Sequence, residues 1–412
     1  MDNFEIQLGL PAINVKRVEE HNGEIHIYVE TTELATHCHS CGKKICKSHG
    51  SDNERKIRHL PILGKPTYII YNPNRYLCDD CNRTTTATPP WHKQNSPFSL
   101  DYENHVLMEL INSTVVDVSV KESLTEASVV GVIDRHIEAE IDWTSINCID
   151  VLGIDEIALK KGYKDYVTLI TSRHDGKIRL LAVLEGHKKA TVKAFLKSIP
   201  NKLKKTVTAF CTDMYEGFIN AAKEVFKKKT IIVVDRFHVA KLYRGELDKY
   251  RQKILRQLKQ ELPKREYDKL KGAMHILRGN NECFTKSERE TLNNLFSHSP
   301  ELAEAYRLAI KLTQIFNTHM SRKEALAKIK EWIKLVKRSK LPCFNKFMKT
   351  LKKYRHEVAN YFIERNSSGF VEGLNNKAKV LKRRCYGIFN LKHLFQRLHL
   401  DISGYDILLD NS

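Results

Sequence analysis

The sequence predicts an α/β protein: one mixed sheet, a small cysteine-bearing domain ahead of it, and a long helical stretch behind it. Three observations carry this. From Cys148 to Val239 short apolar runs alternate with amphipathic ones, the pattern of strands and helices in turn. Both C-x-x-C pairs fall before residue 95. From about Ala240 to Tyr361 the chain turns Lys-rich with helical periodicity, as in Ala303 to Phe316 and Ala325 to Val336.

The chain has 412 residues, enough for two to four domains, and 42% hydrophobic with 29% charged residues describes a folded globular protein. Its 69 Lys and Arg outweigh 49 Asp and Glu, for a net charge of +20. Such an excess favours a polyanionic partner, because each neutralised phosphate releases counterions; the plainer alternative is a basic protein without one. No apolar run reaches the length of about 18 residues that a membrane helix needs. Met1 to Leu10 carries Asp2 and Glu5 and no basic segment, unlike a signal peptide. A cytoplasmic, reducing location is expected, where ten cysteines serve as metal ligands or buried thiols rather than disulfides.

The first region, residues 1–95, is strand-like and turn-rich, with a strand expected over Thr67 to Tyr71. Cys38-His39-Ser40-Cys41-Gly42 and Cys78-Asp79-Asp80-Cys81 are two knuckles, each offering two thiolates from one tight turn. Zn²⁺ takes four such ligands in a tetrahedron, so Cys38, Cys41, Cys78 and Cys81 predict a zinc ribbon whose metal holds a meagre core together. His37, His39, Cys46 and His49 are bystanders close enough to substitute. Thr86 to Trp91, with Pro89-Pro90, reads as a linker. Residues 96–145 then give short helices at Tyr102 to Ile111, Val118 to Leu124 and Ala127 to Ile137. The last two, with the break at Thr125-Glu126, fit a helix-turn-helix, whose second helix would present Ser128, Asp134, Arg135 and His136. The alternative is a plain three-helix packing unit.

The sheet follows. Ile149 to Leu159, Tyr166 to Thr171 and Ile178 to Leu184 read as three strands, with Arg173-His174-Asp175-Gly176 as the hairpin turn between the second and third. A helix over Thr191 to Ser198, a strand over Val207 to Thr212, a helix over Tyr215 to Phe226 and a strand over Thr230 to Val234 complete the order. A three-stranded meander followed by alternating helix and strand is the RNase H arrangement, in which the first and fourth strands lie side by side. That makes Asp155 and Asp213 neighbours at the carboxyl ends of adjacent strands, where open α/β sheets bind ligands. Side chains alternate along a strand, so Asp155 and Glu156 are expected to face opposite sides, with Asp155 joining Asp213. Two like charges so close call for a cation, and hard oxygen ligands select Mg²⁺ or Mn²⁺. Taken singly, a strand-end Asp is more often a cap or turn former.

A third acid is offered by Glu372, in the first turns of a basic helix running from Gly369 to Arg384. Asn375, Asn376, Lys379 and Arg383 share or border its face, so a carboxylate there can reach a metal while the cations line a phosphate backbone. The alternative is a solvated basic helix with an acid near its N-terminus.

Together these residues resemble the transposases of the ISL3 insertion-sequence family, within the DDE superfamily. The resemblance spans nearly the whole chain. It rests on the zinc ribbon, the helix-turn-helix, and the strings Gly153-Ile154-Asp155-Glu156, Cys211-Thr212-Asp213-Met214-Tyr215, Val234-Asp235-Arg236-Phe237-His238-Val239 and Glu372-Gly373-Leu374-Asn375-Asn376. It implies an RNase H-like catalytic domain in two parts, residues 146–239 and 362–412, interrupted by a helical insertion over 240–361. It implies Asp155, Asp213 and Glu372 as a metal-binding triad, with Asp235 and His238 in supporting positions. The implied activity is cleavage and joining of double-stranded DNA, at the element's ends and at a target, by two Mg²⁺ ions and with no covalent protein–DNA link. Ser128, Arg135, Asn376, Lys379 and Arg383 would contact DNA. A homodimer or higher synaptic complex, working at the bacterial nucleoid, is expected. The rival readings are a non-catalytic regulator derived from a transposase, and another RNase H-like nuclease such as a junction resolvase.

Overall fold

The computed structural model describes residues 8–158, 166–227, 229–279, 284–366, 369–384 and 390–409. Leu159, the predicted end of the first sheet strand, lies outside them. The chain separates into two compact units, one up to Glu138 together with the residues from His399, the other Ala139–Leu398.

The first unit begins with strands β1 (Ile13–His21), β2 (Glu24–Thr31), β3 (Thr36–His37), β4 (Lys44–Ile45), β5 (Lys47–Ser51), β6 (Arg55–Ile62), β7 (Lys65–Tyr71), β8 (Asn74–Cys78) and β9 (Arg83–Thr86). Four of them form a sheet in the order β1-β2-β7-β6. Alternate residues Ile27, Val29, Ile57, Ile69 and Tyr71 point to one face and bury it. Trp91 joins that core at 4% exposure, its ring 5.4 Å from that of Tyr71. The Thr86 to Trp91 segment is therefore packed and not a free linker. Its two prolines suggest a linker, but the large apolar area of the indole favours burial.

Helices α1 (Leu100–Leu110), α2 (Val115–Lys121) and α3 (Glu126–His136) follow, each opened by a hydroxyl cap, from Ser99, Thr114 and Thr125. Tyr102, Val106, Leu110, Val118, Val129 and Ile133 make their shared core, and Leu400 from the far end of the chain completes it. Beside it, Asp401 Oδ1 accepts the backbone N–H of Asn112 at 3.0 Å.

The second unit carries the mixed sheet: β10 (Val151–Ala158), β11 (Tyr166–His174), β12 (Lys177–Glu185), β13 (Ala209–Thr212) and β14 (Ile231–Val234), in the order β12-β11-β10-β13-β14. Asp175 and Gly176, at φ of 47° and 76°, turn the β11–β12 hairpin, since such tight connections need positive φ. β10 pairs antiparallel with β11 and parallel with β13, and β13 pairs parallel with β14. The parallel strand β13 and the edge strand β14 are short, largely apolar runs, buried almost throughout. α4 (Lys189–Ser198), α5 (Asn201–Lys204) and α6 (Glu216–Phe226) connect them, with Val192, Leu196, Phe218 and Ile219 in the core.

A helical body follows, from α7 (Arg236–Glu261) through α8 (Lys264–Asp268), α9 (Ala273–Arg278), α10 (Lys286–His298), α11 (Pro300–Asn317), α12 (Arg322–Ser339), α13 (Asn345–Lys353), α14 (Arg355–Ala359) and α15 (Tyr361–Glu364). Capping boxes start α10 and α12, and the buried Trp332 indole donates to the Leu308 carbonyl at 2.7 Å. α16 (Gly369–Arg384) then returns to the sheet, and α17 (Leu391–Leu409) ends the described chain. Among the described residues no helix is long and apolar enough to cross a membrane.

Candidate active site and zinc cluster

The cysteine cluster is built from two local turns. In the first, Cys38 accepts the Gly42 N–H and donates its own to the Lys43 carbonyl, each at 2.8 Å; Gly42 takes φ 72°, a conformation free of strain only for glycine. In the second, Cys78 ends β8 and Cys81 lies just before β9. The four ligand atoms all lie within 4.8 Å of one another, the one such set of metal-ligating side chains among the described residues. Backbone N–H groups of Cys41 and Ser40 draw the Cys38 thiol down to about 6, while the neighbouring Cys41 sulfur pushes Cys81 up to about 12. Metal ligation needs all four as thiolates, so a cation bound here displaces whatever protons remain. His39 lies outside the set, its Nδ1 3.0 Å from Thr85 Oγ1, and so do His37, Cys46 and His49.

The second site lies at the carboxyl end of the sheet. β10 and β13 run in register through Gly153 and Cys211. Two residues further on stand Asp155, within β10, and Asp213, just past the end of β13. α16 approaches β10 at Gly153, where a Cβ would collide with Val371 and come within 2.6 Å of the Phe370 ring. Glycine at this point lets the helix lie flush on the strand. One helix face then presents Glu372, Asn375 and Lys379 to the strand ends. Asp155, Glu156, Asp213, Phe237, His238, Lys241, Glu372, Asn375 and Lys379 line one cleft of about 430 Å³. The three acids singled out from sequence are thus brought together, though more loosely than the thiols.

Asp155 is 9% exposed; burial raises its pKa, and the Asp213 charge raises it further against the opposing His238. Its Oδ1 accepts the Glu156 N–H at 2.8 Å and its Oδ2 the Asn375 amide at 2.6 Å. Asp213 Oδ1 accepts the Tyr215 N–H at 2.9 Å. Glu156 corrects the sequence reading: it lines the same cleft as Asp155, and burial, Asp213 and Asp155 raise its pKa. The reason is that β13 stops at Thr212 while β10 runs on to Ala158. Past Thr212 β13 no longer flanks β10 on that edge, and both side chains line the cleft; Glu156 Oε2 lies 3.3 Å from His187 Nδ1. Asp235, 1% exposed, caps α7 by accepting the Phe237 N–H at 3.0 Å and lies 3.5 Å from His238 Nδ1. That contact, against burial, raises the His238 pKa.

Known proteins share both sites' settings. The profile of the DDE transposases of ISL3 elements, described as transposase, matches residues 152–398. A second, the zinc-finger of transposase IS204/IS1001/IS1096/IS1165, matches residues 35–81. The chain belongs to the ISL3 transposase family. It is 25% identical over 407 residues to the transposase for insertion sequence element IS1001 of Bordetella parapertussis, covering 96% of this chain and 97% of that protein. It is 22% identical over 391 residues to the transposase for insertion sequence element IS1557 of Mycobacterium tuberculosis, covering 89% and 86%. The cysteine cluster is therefore the zinc site of an ISL3 zinc ribbon.

Other ISL3-type candidate residues fall in varied settings. Ser128 sits in the first turn of α3, its Oγ 2.8 Å from that of Thr125. Arg135 is half-buried and ion-paired with the fully buried Glu103, whose other oxygen meets His136. On α16, Asn376 is exposed while Asn375 is 3% exposed, and Arg383 Nε donates to the Lys379 carbonyl at 3.2 Å. The transposase also has cleft residues to which the sequence reading assigned no role of their own: Lys241 and Phe237, together with Asn375, placed only on the face of Glu372, and Glu156, expected on the opposite side from Asp155. Helical spacing placed Asn375 beside Glu372 and offered the same signal for Lys241, three residues after His238.

Proposed function

We propose that this chain binds the terminal inverted repeats of an insertion sequence, cuts DNA there and joins the ends to a target, with Asp155, Asp213 and Glu372 holding the catalytic metal ions. The observation that carries this is the single cleft lined by all three carboxylates, from two strand ends and a returning helix. Its donor set fits Mg²⁺ or Mn²⁺: hard oxygens, with Asp155 buried and repelled by Asp213. Bound there, two such ions would activate water or a 3′-hydroxyl and stabilise the leaving oxygen.

The protein's own part is to bind and orient. Lys241 and Lys379 edge the cleft and supply positive charge for a DNA phosphate. Asp235 lies 3.5 Å from His238 Nδ1 and, with the cleft acids, raises the pKa of that ring beside them. The zinc ribbon and α1–α3 would read the element's ends, and a homodimer or larger synaptic complex would bring two ends together. The decisive assay incubates purified protein with the element's ends, a target plasmid and Mg²⁺. Nicked and joined products are expected, and both should vanish with Glu372→Gln. End binding without cleavage would favour a non-catalytic regulator, and cleavage of branched DNA without joining would favour a resolvase.

A further inference from the structure

Among the buried polar atoms of the cleft that the proposed triad leaves unused is the side-chain oxygen of Asn375. Asn375 is 3% exposed and lines the cleft one helical turn beyond Glu372. Its Nδ2 donates to Asp155 Oδ2 at 2.6 Å, while its Oδ1 is buried without a hydrogen-bond partner among the described residues. A carboxylate only accepts, so the amide nitrogen faces Asp155 and the carbonyl oxygen faces away from it. A buried acceptor left unpaired is costly, and such atoms in folded proteins have a ligand, water or ion to meet.

We infer that Asn375 is a fourth, neutral oxygen ligand of the divalent-cation site, and that its amide N–H positions Asp155 for the same site. The inference rests on the triad reading given above. An amide carbonyl is a hard donor of the kind that Mg²⁺ and Mn²⁺ accept. It adds a ligand to a cleft already holding Asp155, Glu156, Asp213 and Glu372 without adding a further negative charge. The same side chain meets both needs only because its two ends differ: nitrogen toward the acid, oxygen toward the ion.

The test is Mn²⁺ affinity of the full-length, zinc-loaded protein, read from the electron paramagnetic resonance signal of free Mn²⁺, with no DNA present. Asn375→Ala should weaken binding about tenfold. Asn375→Asp, which keeps an oxygen at the same place, should bind at least as tightly as wild type, since the cation then lies between two carboxylates. Circular dichroism and melting of the metal-free variants check that the fold is kept. Wild-type affinity in Asn375→Ala, alongside lost affinity in Asp155→Asn, would overturn the ligand role alone. So would an Asn375→Asp variant as weak as Asn375→Ala. Wild-type affinity in Asp155→Asn and Glu372→Gln as well would sink the triad reading, and this inference with it.

Discussion

The cysteine cluster and the acidic cleft gather ligands in opposite ways. The cluster draws on two short turns, each supplying two thiols, and closes its four ligand atoms to within 4.8 Å of one another. The cleft draws on the ends of β10 and β13 and on α16, segments far apart in sequence, and leaves a space of about 430 Å³ between them. A closed, soft, four-sulfur set suits a metal that only holds the fold together. An open, hard-oxygen set suits a site that must admit a second reactant. Each half of the first is set by local geometry and the two turns then need only meet, whereas the second exists only once strands and returning helix have packed together.

The largest effect should come from removing one charge from the open site. Asp155→Asn, Asp213→Asn and Glu372→Gln should each lower DNA cleavage by about 10³-fold, near 4 kcal/mol of barrier, while zinc content and end binding hold. Any of the three that cleaves within about tenfold of wild type is not a ligand. Cys41→Ser should do the reverse, weakening zinc binding by about 100-fold and loosening the first unit, since a structural site stores its binding energy as folding energy. Elemental analysis with limited proteolysis reads this; freshly purified wild type without zinc would refute it.

A third variant separates the sites through packing alone. Gly153→Ala places a methyl against Val371 and Phe370, so it should cost about 1–3 kcal/mol of stability and reduce cleavage by shifting Glu372. Chemical denaturation and zinc analysis follow both sides; undiminished stability would mean that α16 yields freely. The smallest effect concerns the rim. Lys379→Ala with Arg383→Ala should flatten the log–log salt dependence of DNA binding by about 0.9 for each phosphate no longer neutralised, measured with Ca²⁺ in place of Mg²⁺. Glu372→Gln should keep the wild-type slope. An unchanged slope in the double variant would remove this helix from the DNA path.

The same contrast explains what could be read from sequence. Local signals were legible: both knuckles, the Asp175-Gly176 hairpin, and strand ends that put Asp155 beside Asp213 in the observed sheet order. What depended on tertiary packing was not. Strand alternation separates Asp155 from Glu156, but the early end of β13 reunites them. Of the adjacent Asn375 and Asn376, periodicity alone could not choose the buried one. The polar side of α3 was visible, yet nothing near Arg135 in sequence pointed to Glu103, its buried partner on α1. Two prolines outweighed Trp91 in the sequence reading, whereas burial of the indole prevails in the fold.

The placement of Leu400, Asp401 and Glu372 long after the elements they complete has a consequence for the order of synthesis. Domains generally fold as they leave the ribosome, the amino-terminal one first. Here α1–α3 wait for Leu400 to fill their core and for Asp401 to accept the Asn112 N–H. The strand ends wait for α16 to bring Glu372 to the cleft. A chain released early from translation therefore carries neither a finished helical core nor a third acid. Both are supplied by segments translated long after the elements they complete.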